Sequence, residues 1–177
     1  MTEVSKEQYL DWQNKLQSKN LFRRHWQFWS NYSAVFYVIA FLSFIVRKDF
    51  LEAIVVTAVG FVLTRWVIVV AINYFYKRER PYQKYNFAPI TSRFFSQSTK
   101  LHNSFPSRHL TTLGLLTGVV LLYSPIYGAG LILVTAITGI ARVILGYHYP
   151  TDILAGFIIG LTTAFISYQL CILLLFT

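Results

Sequence analysis

A chain of 177 residues that is 55% hydrophobic and 18% aromatic is long enough for one domain and too apolar for a water-soluble one. Only 13% of residues are charged, yet the net charge is +9, and the cations flank apolar runs, which points to lipid headgroups or an anionic substrate and away from nucleic acid. The one cysteine, Cys171, sits in an apolar run, so a disulfide framework and a cysteine metal site are both excluded and packing is its expected role.

Residues 1–30 alternate basic, polar and aromatic positions. Tyr9, Trp12 and Leu16 fall at helical spacing, with Lys6, Lys15 and Lys19 on other faces, which predicts an interfacial amphipathic helix. The segment lacks an apolar core and reads as neither a signal peptide nor a span. Trp26, Phe28 and Trp29 mark the start of the bilayer, and a first span is expected from Tyr32 to Val46, ending at Arg47 and Lys48. A second is expected from Phe50 to Tyr76, roughly 40 Å at about 1.5 Å per residue, with Arg65 near its middle. No carboxylate falls at that depth in any span. The expected role of Arg65 is structural, bonded to Thr side chains, to carbonyls of neighbouring helices or to a lipid phosphate.

Residues 77–106 form the long connection, carrying Lys77, Arg78, Arg80, Lys84, Arg93 and Lys100. Three more spans are expected at Arg108–Leu122, Ile126–Leu145 and Thr151–Leu175, with Gly and Thr frequent enough for close helix packing. No internal repeat, low-complexity segment or domain boundary is evident. The fold class is therefore all-α, an integral membrane bundle of about five transmembrane helices plus the N-terminal interfacial helix, forming a single domain over 1–177. Five spans place the N-terminus, the long connection and the link before the last span on one face. The lysine and arginine bias would make that face cytoplasmic.

Three segments share that face. In ARVILGYHYPTD, Ala141–Asp152, Gly146 breaks one apolar run and Pro150 opens the next, so His148 lies in a tight link between helices. Asp152 falls in the first turn of the second helix, where its carboxylate can take a ring N–H from His148 and leave the other nitrogen as nucleophile or base. Arg142 offers a fork of donors for an oxyanion, most naturally a phosphate. The second segment, KRERP, ends the second span, with Pro81 expected to stop that helix. The third, SFPSRH at Ser104–His109, reads as a helix start with Ser107 as N-cap, and its exposed N–H groups suit an anion. Singly, these residues have ordinary readings as an interfacial histidine (His109), a cap (Ser107) and a headgroup anchor (Arg80). Together, two histidines, two arginines and a helix N-terminus match the needs of phosphoryl transfer, in which positioned cations and N–H groups provide most of the stabilisation. His25 and His102 read as surface residues.

The ordered set resembles the type 2 phosphatidic acid phosphatases, integral membrane lipid phosphatases. Their pattern is a lysine seven residues before Arg-Pro, then Pro-Ser-Gly-His, then Ser-Arg, five residues, His, three residues and Asp. Here the parts read Arg80-Pro81, Pro106-Ser107-Arg108-His109, and Ala141-Arg142 with His148 and Asp152. The resemblance implies His148 as nucleophile, Asp152 as its orienting partner, His109 as general acid, Arg80 and Arg142 as phosphate clamp with Ser107 beside them, and no metal or other cofactor. Three positions depart from the pattern. Asn73 replaces the lysine, with Lys77 one turn on along the same helical side as its expected substitute. Arg108 replaces the glycine, turned away from the phosphate or adding a donor to it. Ala141 replaces the serine before Arg142.

Among the family's substrates, the small chain and surplus of cations favour an isoprenyl diphosphate, undecaprenyl pyrophosphate, cleaved to the monophosphate and phosphate at a site of a cell membrane that then faces outward, against the lysine and arginine bias. The alternatives are a phosphatidylglycerophosphate or phosphatidate phosphatase, and a degenerate homologue that binds or moves anionic lipids without hydrolysis.

Overall fold

The computed structural model describes residues 7, 10, 11, 14, 15, 18–42, 50–86 and 103–175. Outside them lie most of the expected interfacial helix, the Arg47–Lys48 end of the first span, and Arg93, Lys100 and His102 of the long connection. Every long element is helical: α1 Asn20–Leu42, α2 Phe50–Phe75, the short α3 Pro81–Lys84, α4 Arg108–Tyr123, α5 Pro125–Ile144 and α6 Pro150–Leu175. Helices α2, α5 and α6 are long and apolar enough to cross a bilayer, and α4 is a shorter apolar helix. The protein is thus a membrane-embedded helical bundle. The expected interfacial segment and first span meet in one continuous α1, which begins at Asn20 rather than at the aromatic cluster.

The other boundaries follow local chemistry. Pro125 and Pro150 each occupy the first helical position, where the missing N–H costs nothing. At the end of α5, Gly146 has φ 77°, and the Gly146 and Tyr147 amides donate to the carbonyls of Val143 and Arg142. This glycine-terminated cap turns the chain back sharply, so the five residues between α5 and α6 stay against the bundle. Pro81 does not stop α2: that helix already ends at Phe75, Tyr76 is extended, and Pro81 instead opens α3.

Helix α4 is the central rod, and its tightest neighbour is α6. A Cβ built on Gly114 would stand 2.6 Å from the Phe157 carbonyl oxygen, and one on Gly156 2.8 Å from the Ser107 carbonyl oxygen. A glycine on each helix therefore lets the two backbones touch. The contact fixes the site as well, because the Ser107 amide donates to the Asp152 carbonyl at 3.0 Å, locking the start of α4 to the start of α6. Three buried hydroxyls of the bundle bond one another. Tyr37 of α1 meets Thr117 of α4 at 3.0 Å and also bonds Thr135 of α5. At the opposite face, Tyr123 donates to Glu52 at 2.9 Å, tying the end of α4 to the start of α2.

Candidate active site

The segment after α2, the last residues of α5 and the first of α4 and α6 meet at one face, above a cavity of about 670 Å³. His109, Arg108, Arg80, Arg142 and His148 all line it, so the three sequence segments converge as expected. The cavity continues between α1 and α2 along apolar side chains, including Val38, Phe61, Leu113 and Leu116.

His148 is 5% exposed, in the tight link that the Gly146 cap creates. Its Nδ1 lies 3.0 Å from the Ser104 carbonyl oxygen and 3.7 Å from the Asp152 carboxylate. The tautomer is therefore set by the carbonyl, which can only accept, rather than by the direct bond to Asp152 that its position suggested. Nε2 is left as the basic nitrogen. Burial pulls the imidazole pKa from 6.5 down to about 4, with Asp152 opposing and Arg80 and Arg142 reinforcing that shift. His148 is consequently neutral near pH 7.

Asp152 is fully buried and well partnered. It accepts from the Ser104 hydroxyl, from the Tyr149 amide at 2.9 Å and from the Arg78 guanidinium at 2.8 Å. Arg78 also donates to the Thr151 hydroxyl at 2.7 Å and lies over the Tyr149 ring at 3.9 Å. The carboxylate thus holds Ser104, the loop and α6 in register, and reaches His148 as a nearby charge.

Arg78 and Ser104 carry no signal in the sequence beyond falling within the recognised segments. Their backbones are clamped together: Ser104 N–H donates to the Arg78 carbonyl at 2.7 Å, and Arg78 N–H to the Asn103 side-chain oxygen at 2.9 Å. Asn103 also donates to the side chain of Asn73 at 2.7 Å and to the Tyr76 carbonyl at 2.9 Å. The residue in the lysine position is therefore an amide that anchors this strap. Lys77 is exposed and off the cavity wall, because the chain is no longer helical there and the helical side shared with Asn73 does not extend to it.

The cations are buried to different degrees. Arg80 is 6% exposed and Arg142 7% exposed. Burial lowers the Arg80 pKa, opposed chiefly by Tyr82 and Asp152. One Arg142 nitrogen donates to the Ser30 carbonyl at 3.3 Å, and its Nε is buried without a hydrogen-bond partner. Arg108 turns into the cavity rather than away from it. Ser107 occupies the N-cap position of α4, but its hydroxyl makes no cap bond, is buried without a partner and does not line the cavity. His109 is steadied from α1, with the Ser33 hydroxyl 3.4 Å from its Nε2.

Residues 55–172 match the PAP2 superfamily, a stretch that holds all three segments. The chain belongs to the PAP2 superfamily. Over 79 residues it is 34% identical to the lipid A 1-phosphatase of Rhizobium johnstonii, covering 45% of this chain and 30% of that protein. A second lipid A 1-phosphatase, from Rhizobium etli, is 40% identical over 57 residues, covering 32% of this chain and 25% of that protein. The matches thus span less than a third of either curated relative. Among solved structures, a transmembrane PAP2 type phosphatidylglycerolphosphate phosphatase from Bacillus subtilis superposes with a TM-score of 0.62 over 97% of this chain and 89% of that one. At 20% identity, that likeness is one of fold.

Proposed function

We propose that this PAP2 superfamily member is a metal-independent lipid phosphatase that works through a phosphohistidine. The observation carrying the reading is that two histidines, from the α5–α6 link and from the first turn of α4, line one cavity with Arg80, Arg108 and Arg142, and that the cavity continues along an apolar wall.

In the first step the neutral Nε2 of His148 attacks the terminal phosphorus. The bond to the bridging oxygen breaks, and His109, cationic once the phosphate charge is bound beside it, gives its proton to that departing oxygen. The proton stays on Nδ1, donated to the Ser104 carbonyl, so the ring keeps its orientation as it gains charge, and the Asp152 carboxylate stabilises that charge from 3.7 Å. In the second step water attacks the phosphohistidine, His109 takes the water proton, and phosphate leaves as His148 is restored. Arg80 and Arg142, with the first N–H groups of α4, hold the peripheral oxygens throughout.

The substrate we favour is undecaprenyl pyrophosphate, giving the monophosphate carrier and phosphate at an outward-facing site of the cell membrane. The surplus of cations suits a diphosphate, and the apolar cavity wall suits an isoprenyl tail. The Rhizobium relatives favour a second reading, removal of a phosphate from a lipid A-type glycolipid, and the Bacillus fold relative adds phosphatidylglycerophosphate. Phosphate release by the purified protein from undecaprenyl pyrophosphate, lipid A, phosphatidylglycerophosphate and phosphatidate separates these. Fastest release from the isoprenyl lipid is expected, and no preference for it would defeat the choice. Sidedness is tested by Glu79→Cys: position 79 is exposed and native Cys171 is buried. Labelling of Glu79→Cys in intact cells is expected, and labelling only after lysis would refute an outward site.

A further inference from the structure

Arg65 lies in a π-helical turn, Leu63–Ile68, midway along α2. The turn is closed by a Val69 N–H that reaches back five residues to the Thr64 carbonyl. Such widened turns shift the register of the helix and recur at functional sites. Arg65 lines the same cavity as His109 and His148, and its charge acts on both Arg108 and His109. No ion pair holds it among the described residues, and no described carboxylate lines the cavity. The Thr64 hydroxyl beside it is buried without a partner, so that threonine does not anchor it.

Charge balance then becomes informative. A terminal phosphate brings about −1.5 to −2 charges, and Arg80 and Arg142 with the start of α4 are enough to meet it. Arg65 and Arg108 are two further guanidiniums on the same cavity. Like charges gathered in a low-dielectric wall repel, and an unpaired arginine at bilayer depth is costly unless an anion shares it.

We infer that Arg65, with Arg108, binds a second anionic group next to the reacting phosphate, making Arg65 a specificity residue for lipids that carry two such groups. The inference rests on the lipid phosphatase reading and sharpens it, since a diphosphate headgroup supplies that second group directly. The guanidinium forks would hold the non-reacting phosphate, which the enzyme needs only for substrates of this class.

The test compares an isoprenyl diphosphate with the monophosphate of the same chain, using wild type, Arg65→Gln and Arg65→Lys. Arg65→Gln is expected to lower the diphosphate-over-monophosphate ratio of kcat/KM about tenfold, through KM, with Arg65→Lys between it and wild type because it keeps the charge and loses the fork. An unchanged ratio, whether both lipids slow together or neither does, would overturn the assignment. Should wild type release phosphate from neither lipid, the enzyme reading fails separately. Direct binding still decides Arg65 in that case. In a His148→Ala background, Arg65→Gln is expected to weaken retention of radiolabelled diphosphate lipid about tenfold relative to the monophosphate, and equal retention overturns the inference.

Discussion

Replacing Arg78 by alanine tests the part of the site that sequence patterns do not announce. The Arg78 guanidinium is 2.8 Å from a carboxylate whose side chain is fully buried, while its own side chain is 30% exposed. A hydrogen bond to a charged group contributes about 1.5–3 kcal/mol, and stranding a buried charge costs about 3–5 kcal/mol. Solvent reaches Arg78, and Asp152 keeps its bonds from Ser104 and the Tyr149 amide, which places the loss at the low end, about 2 kcal/mol. If that loss falls on the transition state, kcat/KM drops roughly 30-fold, since about 1.4 kcal/mol corresponds to a factor of ten. Arg78→Lys keeps the charge but not the simultaneous contacts to Asp152, Thr151 and the Tyr149 ring, so it should recover only part of the activity. Phosphate release and thermal unfolding in the same detergent measure both effects. Wild-type kcat/KM and wild-type unfolding in Arg78→Ala would refute the claim that Arg78 holds Asp152 in place.

Further predictions follow from the same geometry. His148 attacks only when unprotonated, and its pKa is held near 4, so the acid limb of kcat/KM should fall as pH drops through about 4; a limb at the ordinary imidazole value near 6.5 would contradict its burial. Gly114→Ala would drive a methyl to 2.6 Å from the Phe157 carbonyl, and the resulting separation of α4 from α6 should cost about 1–3 kcal/mol of stability, read as an earlier thermal unfolding transition. Unfolding unchanged from wild type would show that the two backbones do not touch. His109→Ala should reduce kcat by at least about 100-fold while leaving KM within a few-fold, as expected for a proton donor in the transition state. Phosphate release should persist in excess EDTA, and its complete loss would contradict a metal-independent mechanism.

What the sequence reveals here is mostly local. Pro125, Pro150 and Gly146 punctuate the helices so strongly that three of the expected spans begin and end within a residue or two of α4, α5 and α6. The three-part order of Arg80, His109, Arg142 and His148 likewise survives as one lined cavity. The remaining features depend on contacts between distant positions, which leave no periodic trace. Ser104 meets His148 from 44 residues away, Arg78 meets Asp152 from 74, and Ser33 meets His109 from 76. Local spacing misleads at two places for the same reason. Asp152 is four residues from His148, but the nearer acceptor for the ring is a carbonyl brought in by another segment. Lys77 is four residues from Asn73, but the helix that would align them has already ended at Phe75, leaving Asn73 to bond Asn103.

The role given to His148 is tested most directly by trapping the phosphorylated enzyme. Undecaprenyl pyrophosphate labelled in its terminal phosphate is mixed with the protein, quenched in alkali during turnover, and the bound label is mapped by peptide. A base-stable, acid-labile label on His148, absent from His148→Ala, is the predicted result. Continued turnover by His148→Ala, with no label on the protein at any quench time, would contradict it.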